Sequence, residues 1–281
     1  MRIDAELPPW WREVFEFTAP IPDAVADKVS AAGDGGLRAV CAVLDPAFGE
    51  RPVPRPTQDA RGFCAKILIR FARPGLVPWM LHLVRRQPDD HVVPYLADSL
   101  AACGSAATDA ACASFADSEP GDPIRPWLAE IAAHAGSRTD EALAVLVLYL
   151  QDDPVHAAQL LADYGDPAAV APLVMEFDAT TTIGPDADPQ TLVMLGSAIG
   201  ALGGELDAAR AERLDASEEE VHLSAVEQRR RMIEKGGFGA IERPEPDDPC
   251  PCESGRNYGE CCSAVEAEMA ERHRLRPPSL H

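Results

Sequence analysis

The amino-acid sequence predicts an all-α fold built from pairs of helices, and three of its features support this prediction. Alanine and leucine dominate a chain of 281 residues in which aromatic residues make up only 6%. Runs of β-branched residues are short, so helix is favoured over sheet. Glycines also recur at regular intervals behind apolar helical patterns. A chain of this length can bury a full hydrophobic core, in one elongated domain or in two compact ones.

The recurring glycines define an internal repeat. They are separated by 29, 32, 29 and 38 residues and stand at Gly75, Gly104, Gly136, Gly165 and Gly203. The residues eight positions earlier are all apolar: Ile67, Leu96, Leu128, Ala157 and Leu195. Those four positions earlier are apolar as well: Phe71, Leu100, Ala132, Leu161 and Ile199. Residues four apart share a helix face, so each glycine is predicted to end a first helix in a left-handed cap before a second helix begins.

The clearest repeat unit covers residues 155–173. In this unit Asp166 is expected to cap the second helix, and Pro167 suits the first helical position. The unit resembles short HEAT-type repeats, which carry a G-D-P turn followed by an apolar helix. The resemblance implies a HEAT-like α-solenoid over residues 58–215, in which each helix pair buries its apolar stripe against its neighbours. The run Ala142–Leu150 is apolar on all sides, as a central buried helix would be.

The N-terminal segment, residues 1–57, is predicted to form an irregular helical cap followed by a loop. A proline pair precedes a candidate helix whose Trp10 and Trp11 are expected to anchor it on the next helix. Two short helices follow, around Asp23–Ala31 and Leu37–Leu44. A proline-rich stretch then leads into the repeats.

The chain is predicted to leave the repeats through a terminal helix and a linker over residues 216–248. Ser217 and Glu220 form a capping-box pattern, which predicts that this helix begins there and runs to about Lys235. Before it, a loop rich in threonine, glycine, proline and aspartate between Thr180 and Asp188 lengthens the last repeat.

Residues 249–263 hold a compact cluster of thiols. Four cysteines form a C-x-C pair, eight intervening residues and a C-C pair: Cys250, Cys252, Cys261 and Cys262. Zn²⁺ accepts a tetrahedral all-sulfur shell, and four protein ligands leave no open position for a catalytic water. The sequence therefore predicts one structural Zn²⁺ held by these four cysteines, followed by a helical or disordered tail over 264–281.

The thiol cluster resembles the SEC-C motif, a short zinc-binding module named for the C-terminus of the secretion ATPase SecA. The motif reads roughly P-C-P-C-G-S-G-K-K-Y-K-K-C-C, and the match covers residues 249–262. Glu253 replaces the usual glycine, whereas Asn257, Gly259 and Glu260 stand where lysines are common. In SecA the module contacts a chaperone and the ribosome. The loss of the basic face argues against those partners for this chain.

Disulfides are the alternative for these thiols, but they need an oxidising compartment. The opening residues Met1–Glu6 show no secretory signal peptide, and a bridge between the adjacent Cys261 and Cys262 would be strained. We therefore expect reduced thiols and a cytoplasmic protein. The remaining cysteines are scattered among alanines and leucines and are expected to be small core residues rather than a second metal site: Cys41, Cys64, Cys103 and Cys112.

The chain is strongly acidic, with a formal net charge of −21. Such a surface repels phosphate backbones, so we expect no nucleic-acid binding by the helical body and at most weak binding by the C-terminal module. The longest apolar run, Ala142–Leu150, is too short to span a membrane. These features favour a protein partner, with Tyr258 and the turn around Gly255 expected to contact its surface.

We expect no enzymatic activity, because the sequence contains no P-loop, dinucleotide fingerprint or Ser/His/Asp order. The histidines show no metal-like spacing, and His82 and His134 lie in apolar helical contexts. Asp152 and Asp153 precede a predicted helix and are expected to cap it. The best enzymatic alternative is a lyase that attaches bilin pigments, since some short HEAT-type repeats belong to such enzymes.

The favoured hypothesis is a metal-binding adaptor. A helical-repeat scaffold would grip a protein, and the zinc module would make a second contact. Two tethered modules gain affinity through effective concentration, so each can bind weakly alone. The alternative is a ribosome- or secretion-associated factor, by analogy with the places where SEC-C modules occur.

Overall fold

The computed structural model describes residues 23–45, 58–87, 91–181, 188–234, 245–248, 256–260 and 263, with side chains described up to residue 225 in the last long helix. Within these ranges the chain forms twelve α-helices and short 3-10 turns, with no β-strand. The all-α prediction is therefore confirmed. No helix in the described ranges is long and apolar enough to cross a membrane.

The helices are numbered in chain order. They are α1 (Asp23–Ala31), α2 (Asp34–Leu44), α3 (Gln58–Leu68), α4 (Val77–Arg86), α5 (Val93–Ala101), α6 (Ser105–Ala116), α7 (Arg125–His134), α8 (Asp140–Tyr149), α9 (Pro154–Tyr164), α10 (Val170–Ala179), α11 (Pro189–Ala201) and α12 (Ala208–Glu234). The chain divides into two compact units: Met1–Glu176 with Ser197–Gly204, and Phe177–Gly196 with Glu205–His281.

In the first unit, alternate helices pack against one another. Helix α3 contacts α5, α5 contacts α7 and α7 contacts α9, while α4 contacts α6 and α6 contacts α8. Consecutive helices also pack together, as α6 does with α7 and α8 with α9. Each central helix thus buries one stripe against its chain neighbour and another against the next helix but one. An isolated helix pair has no partner for that second stripe.

The repeat pattern corresponds to burial. All ten apolar positions that precede the glycines are at most 5% exposed. Four of the five glycines have a positive φ of 67° to 77°, which glycine adopts without steric cost. A positive φ alone does not make a left-handed cap: Gly104 has ψ −143° and is the N-cap of α6, so the predicted cap was wrong there. Gly75 is the exception in φ, because it lies in a 3-10 turn, Pro74–Leu76, after an extended Arg73. A residue before proline avoids the helical region, so the chain cannot close a left-handed cap there, and that part of the prediction was wrong.

The repeat unit at 155–173 has the predicted caps. The Asp153 carboxylate accepts the His156 N–H at 3.0 Å and starts α9, and Gly165 ends it in a left-handed conformation with φ 72° and ψ 23°. The Asp166 carboxylate then accepts the Ala168 N–H at 2.9 Å and starts the 3-10 turn that leads into α10. These side chains satisfy backbone groups that helix ends leave unpaired.

Helix α8 is not buried on all sides, so the prediction for Ala142–Leu150 was wrong. Val145 and Leu146 are buried, but Ala144 is exposed and the Leu148 side chain is 51% exposed. The helix packs against α6, α7 and α9, and these three partners leave one face of α8 uncovered. Periodicity alone does not reveal an open face on a helix that is apolar all round.

Helix α12 begins at Ala208, well before the predicted start at Ser217. Its cap is Asp207, whose carboxylate accepts the Arg210 N–H at 2.9 Å. Ser217 lies inside the helix, is 4% exposed and donates its hydroxyl to the Arg213 carbonyl at 2.9 Å. The capping-box prediction was wrong because the serine satisfies its hydrogen bond within the helix, one turn back.

The helices predicted around Asp23–Ala31 and Leu37–Leu44 are confirmed as α1 and α2. The predictions for Trp10 and Trp11 lie outside the described residues, as does most of the loop between Thr180 and Asp188. The described ends of that loop meet, because the Asp188 N–H donates to the Thr181 carbonyl at 3.1 Å.

Candidate functional site

The described part of the C-terminal module begins with a closed turn. The Asp248 N–H donates to the Glu245 carbonyl at 3.0 Å, and the Glu245 N–H donates to the Asp248 carboxylate at 2.7 Å. An aspartate that accepts a backbone N–H in this way fixes the local turn. The turn ends two residues before Cys250, the first predicted metal ligand.

This turn is joined to the segment that precedes the second cysteine pair. The Tyr258 N–H donates to the Asp248 carbonyl at 2.8 Å, and the Gly259 N–H donates to the Pro246 carbonyl at 2.8 Å. Consecutive Cα atoms are about 3.8 Å apart, so short connections lead from these bonded residues to Cys250 and to Cys261. The described backbone therefore brings the chain just before each cysteine pair together.

Gly259 has a steric role in this pairing. A Cβ atom on Gly259 would lie 3.0 Å from the carbonyl oxygen of Pro246 and 3.0 Å from its Cβ. The two segments therefore approach each other closely, and a side chain at this position would require Pro246 to shift by a few tenths of an ångström.

Tyr258 does not lie on the surface. It begins a 3-10 turn, Tyr258–Glu260, and is only 4% exposed, whereas Arg256, Asn257 and Glu260 are exposed. Our expectation that Tyr258 contacts a partner was therefore wrong, because the turn directs its ring inward. Gly255, the other predicted contact, lies outside the described residues.

The four predicted zinc ligands, Cys250, Cys252, Cys261 and Cys262, lie outside the described residues. Among the residues that are described, no group of three or more histidine, cysteine or acidic side chains is arranged to hold a metal ion. The chemistry of the donor set fits a metal, because four thiolates satisfy a closed tetrahedral shell.

Three of the four other cysteines are core residues, as predicted. Cys41, Cys64 and Cys103 are buried, and Cys112 is partly exposed. Burial raises the pKa of the Cys41 thiol to about 12, with a further contribution from the negative charge of Asp45. Burial also raises the pKa of the Cys64 thiol. A protonated, buried thiol is neither a nucleophile nor a metal ligand.

Two of the helical histidines and the adjacent aspartates Asp152 and Asp153 form no metal-binding group in the described residues. His82 and His134 are exposed. Asp153 caps α9 as predicted, but Asp152 does not. Its carboxylate instead forms an ion pair with Arg125, with Nε 2.5 Å from Oδ2. The prediction of two caps was thus wrong for Asp152, because a single helix start needs only one of these side chains.

Arg125 is the centre of a buried polar cluster that the sequence did not indicate. It is 8% exposed, lies over the Phe115 ring at 3.9 Å from the centroid, and donates from Nη1 to the Ser118 carbonyl at 3.1 Å. Phe115 in turn meets Tyr149 edge to face, with centroids 6.4 Å apart. The ion pair of Arg125 with Asp152 could not be predicted from the sequence, because the two residues are 27 positions apart and no local pattern links them.

Tyr149 extends the cluster to α9. Its hydroxyl lies 3.1 Å from Nδ1 of His156, and burial raises the pKa of the Tyr149 phenol, which keeps it protonated. The cluster therefore links α6, α7, α8 and α9 through one cation, two rings and an imidazole. Every polar member has a partner, so the arrangement serves to fix the packing of these helices.

Comparison with known proteins identifies one family. Residues 248–264 match the SEC-C motif family, which confirms the resemblance seen in the sequence. The match includes all four predicted cysteine ligands and covers a small part of the chain. No curated protein and no solved structure matches this chain. The chain therefore carries a SEC-C motif, a class of metal-binding module, and the motif follows the twelve described helices in the sequence.

Proposed function

We propose that this protein is a cytoplasmic, non-catalytic adaptor that binds one structural Zn²⁺. A HEAT-like α-solenoid would grip a protein partner, and the SEC-C module would make a second contact. The observation that carries the proposal is the hydrogen bonding of residues 246 and 248 to residues 258 and 259, which joins the chain segments just before each cysteine pair of the motif.

Support for zinc comes from the donor set. Four thiolates prefer a soft, tetrahedral ion, and a shell made entirely of protein ligands leaves no position for a reacting water. Thiolates also persist in a reducing compartment, which favours the cytoplasm. Zinc binding in such small modules supplies folding free energy on the order of 10 kcal/mol, so the metal would organise the module and leave the helical body unaffected.

Support for the solenoid comes from the alternate packing in the first unit. The first helices of successive pairs contact one another, and so do the second helices. Stacked pairs of this kind form an array stabilised by nearest neighbours, whose faces present extended surfaces for a partner. The adjacent carboxylates Asp152 and Asp153 both have structural partners, since Asp153 caps a helix and Asp152 pairs with Arg125.

The charge of the module favours a protein partner over RNA. Arg256 is exposed but Glu260 is exposed on the same short turn, and a shell of four thiolates around Zn²⁺ is itself negative. RNA binding needs several cations, because each phosphate contact releases counterions. A ribosome- or secretion-associated role remains the alternative, since Arg256 stands at a position where the motif carries a basic residue.

The metal is tested by elemental analysis of the full-length protein. One zinc per chain is expected, and Cys252→Ala and Cys261→Ala should each lose it. Cys112→Ala is the matched control, because Cys112 lies in α6 and should leave the zinc content unchanged. Chelation should leave the far-ultraviolet helical signal of the body nearly intact. A collapse of that signal on chelation would contradict a separate zinc module.

The adaptor role is tested by affinity capture from a cell extract with the full-length protein and with Cys252→Ala. A specific protein retained by the first and weakened in the second is expected, since two contacts act together. Co-sedimentation with ribosomes at low and high salt distinguishes the alternative. Association with ribosomes that survives high salt would favour the ribosome-associated role. Transfer of a bilin pigment to an acceptor protein in an enzymatic assay would favour the lyase.

A further inference from the structure

We propose that the open faces of α6 and α8 form the docking surface for a basic, amphipathic helix of the partner protein. This inference rests on the proposed adaptor function and assigns a surface and a partner class to it. The surface, called the α6–α8 face below, comprises Asp109, Ala113 and Ala116 from α6 with Glu141, Ala144 and Leu148 from α8.

The apolar centre of this surface is on α8. Glu141, Ala144 and Leu148 are exposed, and their spacing of three and four residues places them on one side of the helix. The Leu148 side chain is 51% exposed, although its neighbour Tyr149 is 1% exposed. An exposed leucine alone needs no explanation, but here it lies one turn from the exposed Ala144 on a helix with a mostly apolar sequence.

Helix α6 supplies the second side of the surface. It packs against α8, and the edge-to-face contact of Phe115 with Tyr149 sets their relative level. Ala116 and Leu148 each adjoin one of these two rings in sequence and are exposed. Ala113 and Ala116 are small and exposed, so they present little bulk on the outer side of α6. Packed helices lie about 8–10 Å apart, a separation at which a third helix can rest between them.

The charge of the two helices determines the partner chemistry. Their charged residues are all acidic: Asp109 on α6, and Asp140 and Glu141 on α8. All three are exposed. A helix with an apolar stripe flanked by lysine or arginine would place its cations beside these carboxylates and its apolar residues on Leu148. A second copy of this chain would instead oppose carboxylates with carboxylates, which is unfavourable.

The test uses a fluorescent synthetic helical peptide with leucines at i, i+3, i+4 and i+7 and lysines on the flanking positions, titrated against the full-length protein by anisotropy. Saturable binding is expected, and Leu148→Glu should weaken it about tenfold or more, because burial of the leucine is lost and a charge is introduced. Ile69→Glu is the matched control. Ile69 is 45% exposed and lies outside α6 and α8, so affinity should change by less than about twofold.

A second set of variants and peptides tests whether binding depends on the acidic residues of the α6–α8 face. Glu141→Lys should weaken peptide binding, whereas Asp98→Lys, an exposed carboxylate on α5, should change it far less. A peptide with glutamates in place of the lysines should not bind. Higher salt should weaken the lysine peptide, since exposed charges are screened within about 10 Å at 0.1 M salt.

Three results would overturn the inference: equal binding of the glutamate peptide, equal loss in Ile69→Glu and Leu148→Glu, or a homodimer in sedimentation that Leu148→Glu dissociates. Its failure is distinguishable from failure of the adaptor role. If a cellular partner were captured equally well by the wild type and by Leu148→Glu, the α6–α8 face would not be the docking surface, but the adaptor role would still be supported. Circular dichroism of each variant confirms that it is folded.

Discussion

The buried ion pair between Arg125 and Asp152 gives the sharpest test of how the first unit is held together. The two side chains are 9% and 14% exposed, and their atoms lie 2.5 Å apart. Arg125→Met removes the cation and leaves the Asp152 carboxylate poorly solvated. Loss of one partner of a buried pair typically costs about 3–5 kcal/mol, and the lost contact with the Phe115 ring adds to this.

The assay is urea unfolding followed by the helical signal. Arg125→Met should lower the free energy of unfolding by about 3–5 kcal/mol, and Arg125→Met combined with Asp152→Leu should recover much of that loss, because no charge then remains buried. Arg70→Met is the control. Its ion pair with Asp27 is exposed, so the change should stay below about 1 kcal/mol. A loss under about 1 kcal/mol in Arg125→Met would refute the view that this pair is buried and structurally required.

Three further predictions concern other parts of the chain. Asp207→Ala should destabilise α12 by about 1 kcal/mol through loss of its N-cap, whereas Ser217→Ala should have a smaller effect. A larger loss of thermal stability in Ser217→Ala than in Asp207→Ala would support the predicted helix start at Ser217 instead. Gly259→Lys should accelerate zinc transfer to a colorimetric chelator, because the added Cβ would press against Pro246 in the adjoining turn. Asn257→Lys, at an exposed position, should not. Because the pKa of the Cys41 thiol is raised from 9.0 to about 12, the folded state keeps a proton that the unfolded chain loses. The contribution of this thiol to the free energy of unfolding should be fully present below about pH 9 and should be lost as pH rises toward 12. Urea titrations of Cys41→Ala should show a shallower decrease in the free energy of unfolding over this pH range.

The sequence by itself determined the helical class and the buried apolar positions that precede the recurring glycines. Helical periodicity is local, so the ten apolar positions before the glycines could be assigned from spacing, and all are buried. Caps such as Asp166 were also predictable, because a capping side chain and the backbone N–H that donates to it lie within a few residues. The SEC-C motif was recognisable for the same reason, since its cysteines and turn lie in one short stretch.

Only the tertiary structure decided the features that depend on distant neighbours. The number of helices packed on α8 set the exposure of Leu148, and no local pattern encodes that number. The partner of Arg125 lies 27 residues away, so its charge could not be assigned a role from sequence. Tyr258 is buried because its segment folds onto residues 245–248, across a cysteine-containing stretch. Local hydrogen bonds and helical periodicity depend on residues that are close in sequence. Exposure and long-range ion pairs depend on which distant segments of the chain pack together.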